Sequence, residues 1–333
     1  MADLTIQGQS MNQSDRREIL VELERFGLLL VWMAIIALFA FLLPDIFLTW
    51  PNFSSMFGSQ AVLVILTLGL IIPLTAGDMD VSVAQVLVLS SMMFAVLNVD
   101  HAWGVFPSLL AAVAGGVAVG LVNAFFILYF RIHSLIVTLG TGTFLHGITL
   151  WISDSRTISG IDQRVVDAVL TVRLFGISLS FYYAVAMCLL LTYLLGFTSV
   201  GRKILFVGKG RDVARLSGIA VDRVRLGCLV ASAIIASLAG IVFAGTSGAA
   251  DPNSGTSLLL PAFAAAYLGA TTISPGRFNP IGTFIAVYAL VTGISGLSLM
   301  GIDTYVQDLF YGGALVIAVA LSQLVRGRQE SLT

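Results

Sequence analysis

The sequence predicts an all-α polytopic membrane protein, and three observations carry that prediction. Of the 333 residues, 58% are hydrophobic and only 11% are charged, whereas a soluble domain of ordinary composition carries about a quarter charged residues. Apolar windows of about twenty residues, the length that crosses a bilayer as a helix, recur along the chain. Lys and Arg gather in a few short connecting stretches, which is the pattern of topogenic loops. The two cysteines, Cys188 and Cys228, fall inside apolar runs and read as small hydrophobes with no disulfide framework.

Taken in order, the chain opens with a polar segment over 1–24. The apolar run that follows lacks a small-residue cleavage site, so it reads as a retained span and not a signal peptide. Ten spans are expected, near 27–48, 60–76, 81–98, 105–129, 134–152, 179–197, 226–247, 258–272, 280–300 and 305–325. They form a transmembrane domain over 25–325, followed by a tail over 326–333. Arg16, Arg17 and Arg25 precede the first span, Arg131 lies between the fourth and fifth, and Arg326 and Arg328 end the chain. With the cationic loop 198–225, all fall on one side of a ten-span topology, so both termini are expected in the cytoplasm. The loop 153–178 falls opposite, where Arg156, Arg164 and Arg173 are balanced by Asp154, Asp162 and Asp167.

Two stretches interrupt the apolar pattern. In "LTAGDMDVSVAQ", Leu74 to Gln85, Asp78 and Asp80 stand between two short spans. An ionised carboxylate in hydrocarbon costs at least a few kcal/mol, so both are expected to face protein or water. Capping of a helix beginning near Val81 is the plain reading, and a proton relay is disfavoured because no basic partner inside the membrane is evident. The second stretch, "LGATTISPGRFNPIGT" from Leu268 to Thr283, repeats the scheme of short span, polar turn and long span. Matching breaks in two halves read as diverged repeats and point to a central transport site. Whether they run parallel or inverted stays open. In the fourth span Gly115, Gly116, Gly120 and Asn123 make a small face suited to helix packing, and His146 reads as a packed, hydrogen-bonded residue.

The stretch from Gly201 to Arg225 holds seven of the seventeen Lys and Arg residues. Within it, Ile204–Val207 precede a turn at Gly208-Lys209-Gly210, and Arg211 to Leu216 are expected to form a short helix closed by Ser217-Gly218, with Gly at the position after the cap. Such a helix is a docking element; the alternative is a loop whose charge merely sets topology. The Gly-Lys pair is not a phosphate loop, which needs G-x-x-x-x-G-K-[ST] after a strand. The chain carries no H-E-x-x-H, paired metal ligands or nucleophile elbow, so any ATP-driven step requires a separate protein.

The four stretches "LTAGDMDVSVAQVLVLSS", "GLVNAFFILYFRIHSLIVTLGT", "GRKILFVGKGRDVARLSGI" and "LGATTISPGRFNPIGTFIAV" occur in this order. Together they resemble the ribose-type carbohydrate permeases of bacterial ABC importers, over about residues 55–325. The resemblance implies a ten-span, multi-pass inner-membrane subunit paired with a second copy or a paralogue. A periplasmic binding protein and cytoplasmic ATPases complete the importer, the ATPases alone using ATP and Mg; no cofactor of this chain and no nucleic-acid partner is expected. It also implies that Gly201, Arg202, Lys209, Arg211, Ala214, Arg215, Ser217 and Gly218 belong to a coupling segment that fits a groove on the ATPase. The pathway is expected near Asp78, Asp80, Ser82, Asn123, Ser274 and Asn279. The implied substrate is a monosaccharide or related polyol, with autoinducer-2-like compounds, deoxysugars and nucleosides as neighbours; an ion-coupled transporter and a channel-like or structural protein are the rival classes. The chain departs from the family at Gly208-Lys209-Gly210-Arg211-Asp212, where relatives commonly carry Gly-Gly-Asn, and Val213 replaces the first Ala of the run that follows. His133 stands where Gln or Asn is usual, and Ser274-Pro275-Gly276 replaces a more glycine-rich turn.

Overall fold

The computed structural model describes residues 13–303 and 305–330, with side chains over 26–303 and 305–322. The side chains of Arg16, Arg17, Arg25, Arg326 and Arg328, on which the expectation for the termini rests, lie outside the described residues. Almost all regular structure is helical: α1 (Gln13–Leu42), α2 (Trp50–Ser59), α3 (Ala61–Thr75), α4 (Val83–Ala95), α5 (Val105–Tyr129), α6 (Ser134–Ile152), α7 (Gln163–Val166), α8 (Leu179–Phe197), α9 (Ser199–Lys209), α10 (Arg211–Leu216), α11 (Val221–Ser247), α12 (Thr256–Gly269), α13 (Pro280–Leu299) and α14 (Tyr305–Glu330). Proline at the first turn starts α2 and α13, where its missing N–H has no partner to lose.

Every one of the ten apolar windows forms a helix. Among the described residues seven helices are long and apolar enough to cross a membrane, α4 counting with the π-helical turn Val96–Asp100 that extends it. The pair α2–α3, bent by 41°, makes an eighth. The described apolar part of α1, Phe26–Leu42, and α12 are shorter. Among the described residues the count by length and composition is therefore seven to eight, against the ten expected.

Helix α3 is apolar on all sides, and the bundle is built around it: every residue from Ala61 to Leu74 is buried. Helices α5, α6 and α8 instead turn large apolar side chains such as Phe125, Phe144 and Leu189 outward, as a lipid-facing surface requires. In lipid, helices gain little from burying apolar area against each other, so close backbone approach carries the packing. Gly116 and Gly120 of α5 supply it, for a methyl at Gly116 would overlap Ser237 Oγ of α11 and one at Gly120 would press on Val230 and Ala233. The packing role expected of that small face is the one it has.

The loop 153–178 is more ordered than a connector. Its strand β1 (Ile158–Ser159) pairs antiparallel with β4 (Ala249–Ala250), and β2 (Arg173–Leu174) folds back on β3 (Ile177–Ser178). The hairpin turn has positive φ at both Phe175 and Gly176, the two-residue geometry that matches strand twist. This end of the bundle also holds the exposed Arg156–Asp100 pair. At the other end lie both membrane breaks together with Arg131, Arg202, Lys203, Lys209, Arg211, Arg215, Arg223, Arg225 and Arg277. The units α3–α4 and α12–α13 therefore run parallel, since an inverted pair would put its breaks at opposite ends.

Candidate functional site

The first break begins where α3 stops. Gly77, at φ +80°, allows the chain to reverse: its N–H bonds Leu74 O and the Asp78 N–H bonds Pro73 O, a Schellman termination. The next residues have no helix to satisfy their backbone, and side chains of α6 do so. Ser134 Oγ accepts the Met79 N–H at 3.0 Å, and Thr138 Oγ1 accepts the Val81 N–H at 3.1 Å. Thr138 also donates to Met79 O at 3.2 Å. Non-helical backbone at membrane depth is stable only when satisfied in this way.

Asp78, 1% exposed, is held by two arginines. Arg225 of α11 donates from Nε to Oδ2 at 2.7 Å and from Nη2 to Oδ1 at 2.6 Å, the bidentate fork of a strong ion pair. Arg211, the first residue of α10, reaches Oδ1 at 3.0 Å and Gly77 O at 2.9 Å through the same Nη2. Asp78 thus has two basic partners where the sequence made none evident. Arg225, read as part of the loop 198–225, lies in α11, which starts at Val221, and only 9% of it is exposed.

Asp80 has a different role. Its Oδ1 accepts the Ser82 N–H at 3.1 Å and the Ser82 hydroxyl at 2.6 Å, and its Oδ2 accepts from Ser232 at 3.2 Å. It therefore closes the turn ahead of α4, which begins at Val83; of the two carboxylates expected to cap, Asp80 performs a related task and Asp78 does not. Asn123 of α5 joins this group by donating to Ser82 Oγ at 2.9 Å. Asp78, Asp80, Ser82 and Asn123 are all buried and hold the break together in this conformation, with Asp78 also at the wall of a cleft. His146 is hydrogen-bonded as expected, to Asn253 at 3.3 Å, but it is half-buried and the bond is exposed. His133 caps α6 by accepting the Leu135 N–H at Nδ1, a task that an amide oxygen also performs.

The second break is pinned by one residue. Asn279 Oδ1 accepts the Gly282 N–H at 2.6 Å to cap α13, while its Nδ2 donates to Gly269 O at 3.1 Å and to Thr272 O at 3.0 Å, tying the end of α12 to the start of α13. Ser274 is exposed beside it, in a cleft of about 310 Å3 shared with Arg202, Arg277 and Asn279.

The cationic segment connects the two breaks. Helix α9 continues through Ile204–Val207 to Lys209, so of the turn expected at Gly208-Lys209-Gly210 only Gly210 is non-helical. One end of α9 brings Arg202 to the second break. At the other end Gly208 meets the first so closely that a methyl would overlap Thr75 O. Helix α10 matches the expectation in full: it runs Arg211–Leu216, and Gly218 at φ +80° donates to Arg215 O while Ile219 donates to Ala214 O, a second Schellman end. Ala214 is buried with Val207 and Val221 beneath it. Arg211 and Arg215 line a cleft of about 510 Å3 with Asp78, Arg131 and Asp222, and Arg215 pairs loosely with Asp222 at 3.8 Å. Ser217 bonds back to Val213 O. Sequence reasoning did not find Ser134, Thr138, Gly208, Arg225 or Ser232. The one available signal was Arg225, a cation at the head of an apolar span while a buried carboxylate still lacked a partner.

Parallel broken helices bridged by a surface helix define a helical solute permease. The chain belongs to the family described as branched-chain amino acid transport system / permease component, which matches residues 52–319. It is 31% identical over 305 residues to the D-allose transport system permease protein AlsC of Escherichia coli K12, covering 91% of this chain and 92% of that one. It is 27% identical over 315 residues to the L-arabinose ABC transporter permease protein AraH of Azospirillum brasilense, covering 93% and 91%. The autoinducer 2 import system permease protein LsrC of Yersinia pseudotuberculosis is 28% identical over 286 residues, 85% and 81% of the two chains. No solved structure matches the chain.

Proposed function

We propose that this permease carries a small neutral carbohydrate or polyol inward across the bacterial inner membrane, powered by a separate cytoplasmic ATPase that docks on α9–α10. The observation that carries the reading is the attachment of that segment to both breaks: Arg211 to Asp78 and Gly77 at one, Arg202 beside Ser274 and Asn279 at the other. A rigid push on α10 is thereby passed to the residues that shape the spans. ATP and Mg belong to the partner; a second permease copy or paralogue and a periplasmic binding protein complete the importer. The crowding of cations at the end with the breaks supports a cytoplasmic location for that end, and both termini would lie there if the chain crosses ten times as the sequence predicts.

The carbohydrate reading draws on the allose and arabinose relatives and on charge. Asp78 is neutralised by Arg225 and Asp80 is enclosed by the hydroxyls of Ser82 and Ser232, so neither buried carboxylate is left free to bind a cationic solute. The family description names amino acids and one relative imports autoinducer 2, so ligand identification on the cognate binding protein separates these substrates. Residues Asp78, Asp80, Ser82, Asn123, Ser274 and Asn279 then act beside the pathway by setting the shape of the breaks.

Ala214→Pro tests the coupling. Ala214 N donates to Gly210 O at 2.9 Å, and its loss with ring insertion costs about 3 kcal/mol without changing charge. The variant is expected to insert with normal orientation, checked by cytoplasmic thiol labelling, yet to lose co-purifying ATPase, while Lys209→Arg retains it. Normal ATPase retention and transport by Ala214→Pro would leave a purely topogenic loop.

A further inference from the structure

A third cleft, of about 960 Å3, opens between α8 and α11 and differs in character from the two beside the breaks. Its walls are apolar, with Leu190 and Leu194 on one side and Ile234 and Leu238 on the other. It follows α11 from Arg223 to Leu238, about 22 Å at 1.5 Å per residue, which exceeds the roughly 15 Å hydrocarbon depth of one leaflet. Lys203 and Arg223 stand at its mouth on the cationic end of the bundle. No acidic residue lines the cleft, and neither cation enters an ion pair among the described residues.

Two exposed cations sharing the mouth of an apolar channel call for an occupant that is anionic at one end and apolar for the rest. A sugar fails the second condition, because the walls offer it few hydrogen-bond partners. A second copy of the chain seated symmetrically on this face fails the first, because a two-fold contact sets like surface against like and would oppose cations to cations. We propose that the cleft binds one anionic phospholipid, its phosphate held by Lys203 and Arg223 and an acyl chain lying along α11. Basic pockets between spans at the cytoplasmic face suit such headgroups. The inference rests on the cleft and its charge and is independent of the transported substrate.

The test is native mass spectrometry of the full chain released from micelles doped equally with phosphatidylglycerol and phosphatidylethanolamine. Each cation near the surface favours an anionic headgroup about fivefold, so wild type is expected to retain phosphatidylglycerol with a preference of about 30-fold. Lys203→Ala with Arg223→Ala should bring the two lipids close to parity. Gly227→Trp should lose both, because Gly227 lines the cleft and its Cβ position is open, so the indole is directed into the space a lipid would fill. Equal retention by wild type, a preference that survives the double change, or lipid retained by Gly227→Trp overturns the proposal. So does a covalent dimer, in place of a lipid adduct, from photoreactive benzoylphenylalanine at position 227.

Discussion

Asp78→Asn and Asp80→Asn make the same chemical change two residues apart, and the structure predicts unequal outcomes. Asp78 is 1% exposed and faces Arg225, itself 9% exposed, through two short hydrogen bonds. Asparagine keeps one oxygen but removes the charge, leaving a buried guanidinium uncompensated. Removing one partner of a buried pair costs about 3–5 kcal/mol, and the remaining oxygen puts Asp78→Asn at about 3 kcal/mol. Asp80 has no cation against it, only the Ser82 N–H and the hydroxyls of Ser82 and Ser232. There asparagine keeps the acceptor toward Ser82 and offers its amide to Ser232, so the cost is about 1 kcal/mol. The assay is unfolding in mixed micelles titrated with a denaturing detergent, with transport in reconstituted vesicles alongside. Adding Arg225→Leu to Asp78→Asn should recover about 2 kcal/mol of the summed cost, because the unpaired charge is gone. Equal destabilisation by the two asparagines, or strict additivity in the Asp78–Arg225 cycle, would refute the paired-charge account.

Other expectations follow from single contacts. Gly218→Val should destabilise α10 and weaken ATPase retention, since a β-branched residue at φ +80° carries strain of about 1–3 kcal/mol, whereas Gly210→Val at an extended φ of −175° should be near neutral. Gly208→Ala should lower both thermal stability and transport by about 1–3 kcal/mol of overpacking against Thr75, with folded yield and uptake as the readouts. Asn279→Ala removes a cap and two ties to α12, so a loss of about 1–2 kcal/mol is expected by the same micelle titration, with Asn279→Asp milder because it retains the capping oxygen.

The class of the protein, its ten apolar helices, the two breaks and the helix Arg211–Leu216 were legible in the chain because each depends on local properties. Apolar length decides whether a segment can live in lipid, glycine and proline decide where a helix stops, and the order Arg211 to Gly218 contains a complete helix with its termination. The position of Gly218 after the cap was readable for that reason, and its φ in the structure is +80°. What Asp78 and Asp80 do was not readable, since two acids in one break look alike until the fold brings Arg225 and Arg211 to one and Ser232 to the other, across 133 to 152 residues of chain. The turn expected at Gly208-Lys209-Gly210 is likewise confined to Gly210, because α9 packs the backbone of Gly208 against Thr75, a contact in which glycine serves close approach instead of chain reversal. Local sequence specifies where helices form and end, through short-range sterics and hydrogen bonds. Which buried charge finds which partner depends on long-range packing, and only the tertiary structure brings those residues within reach of one another.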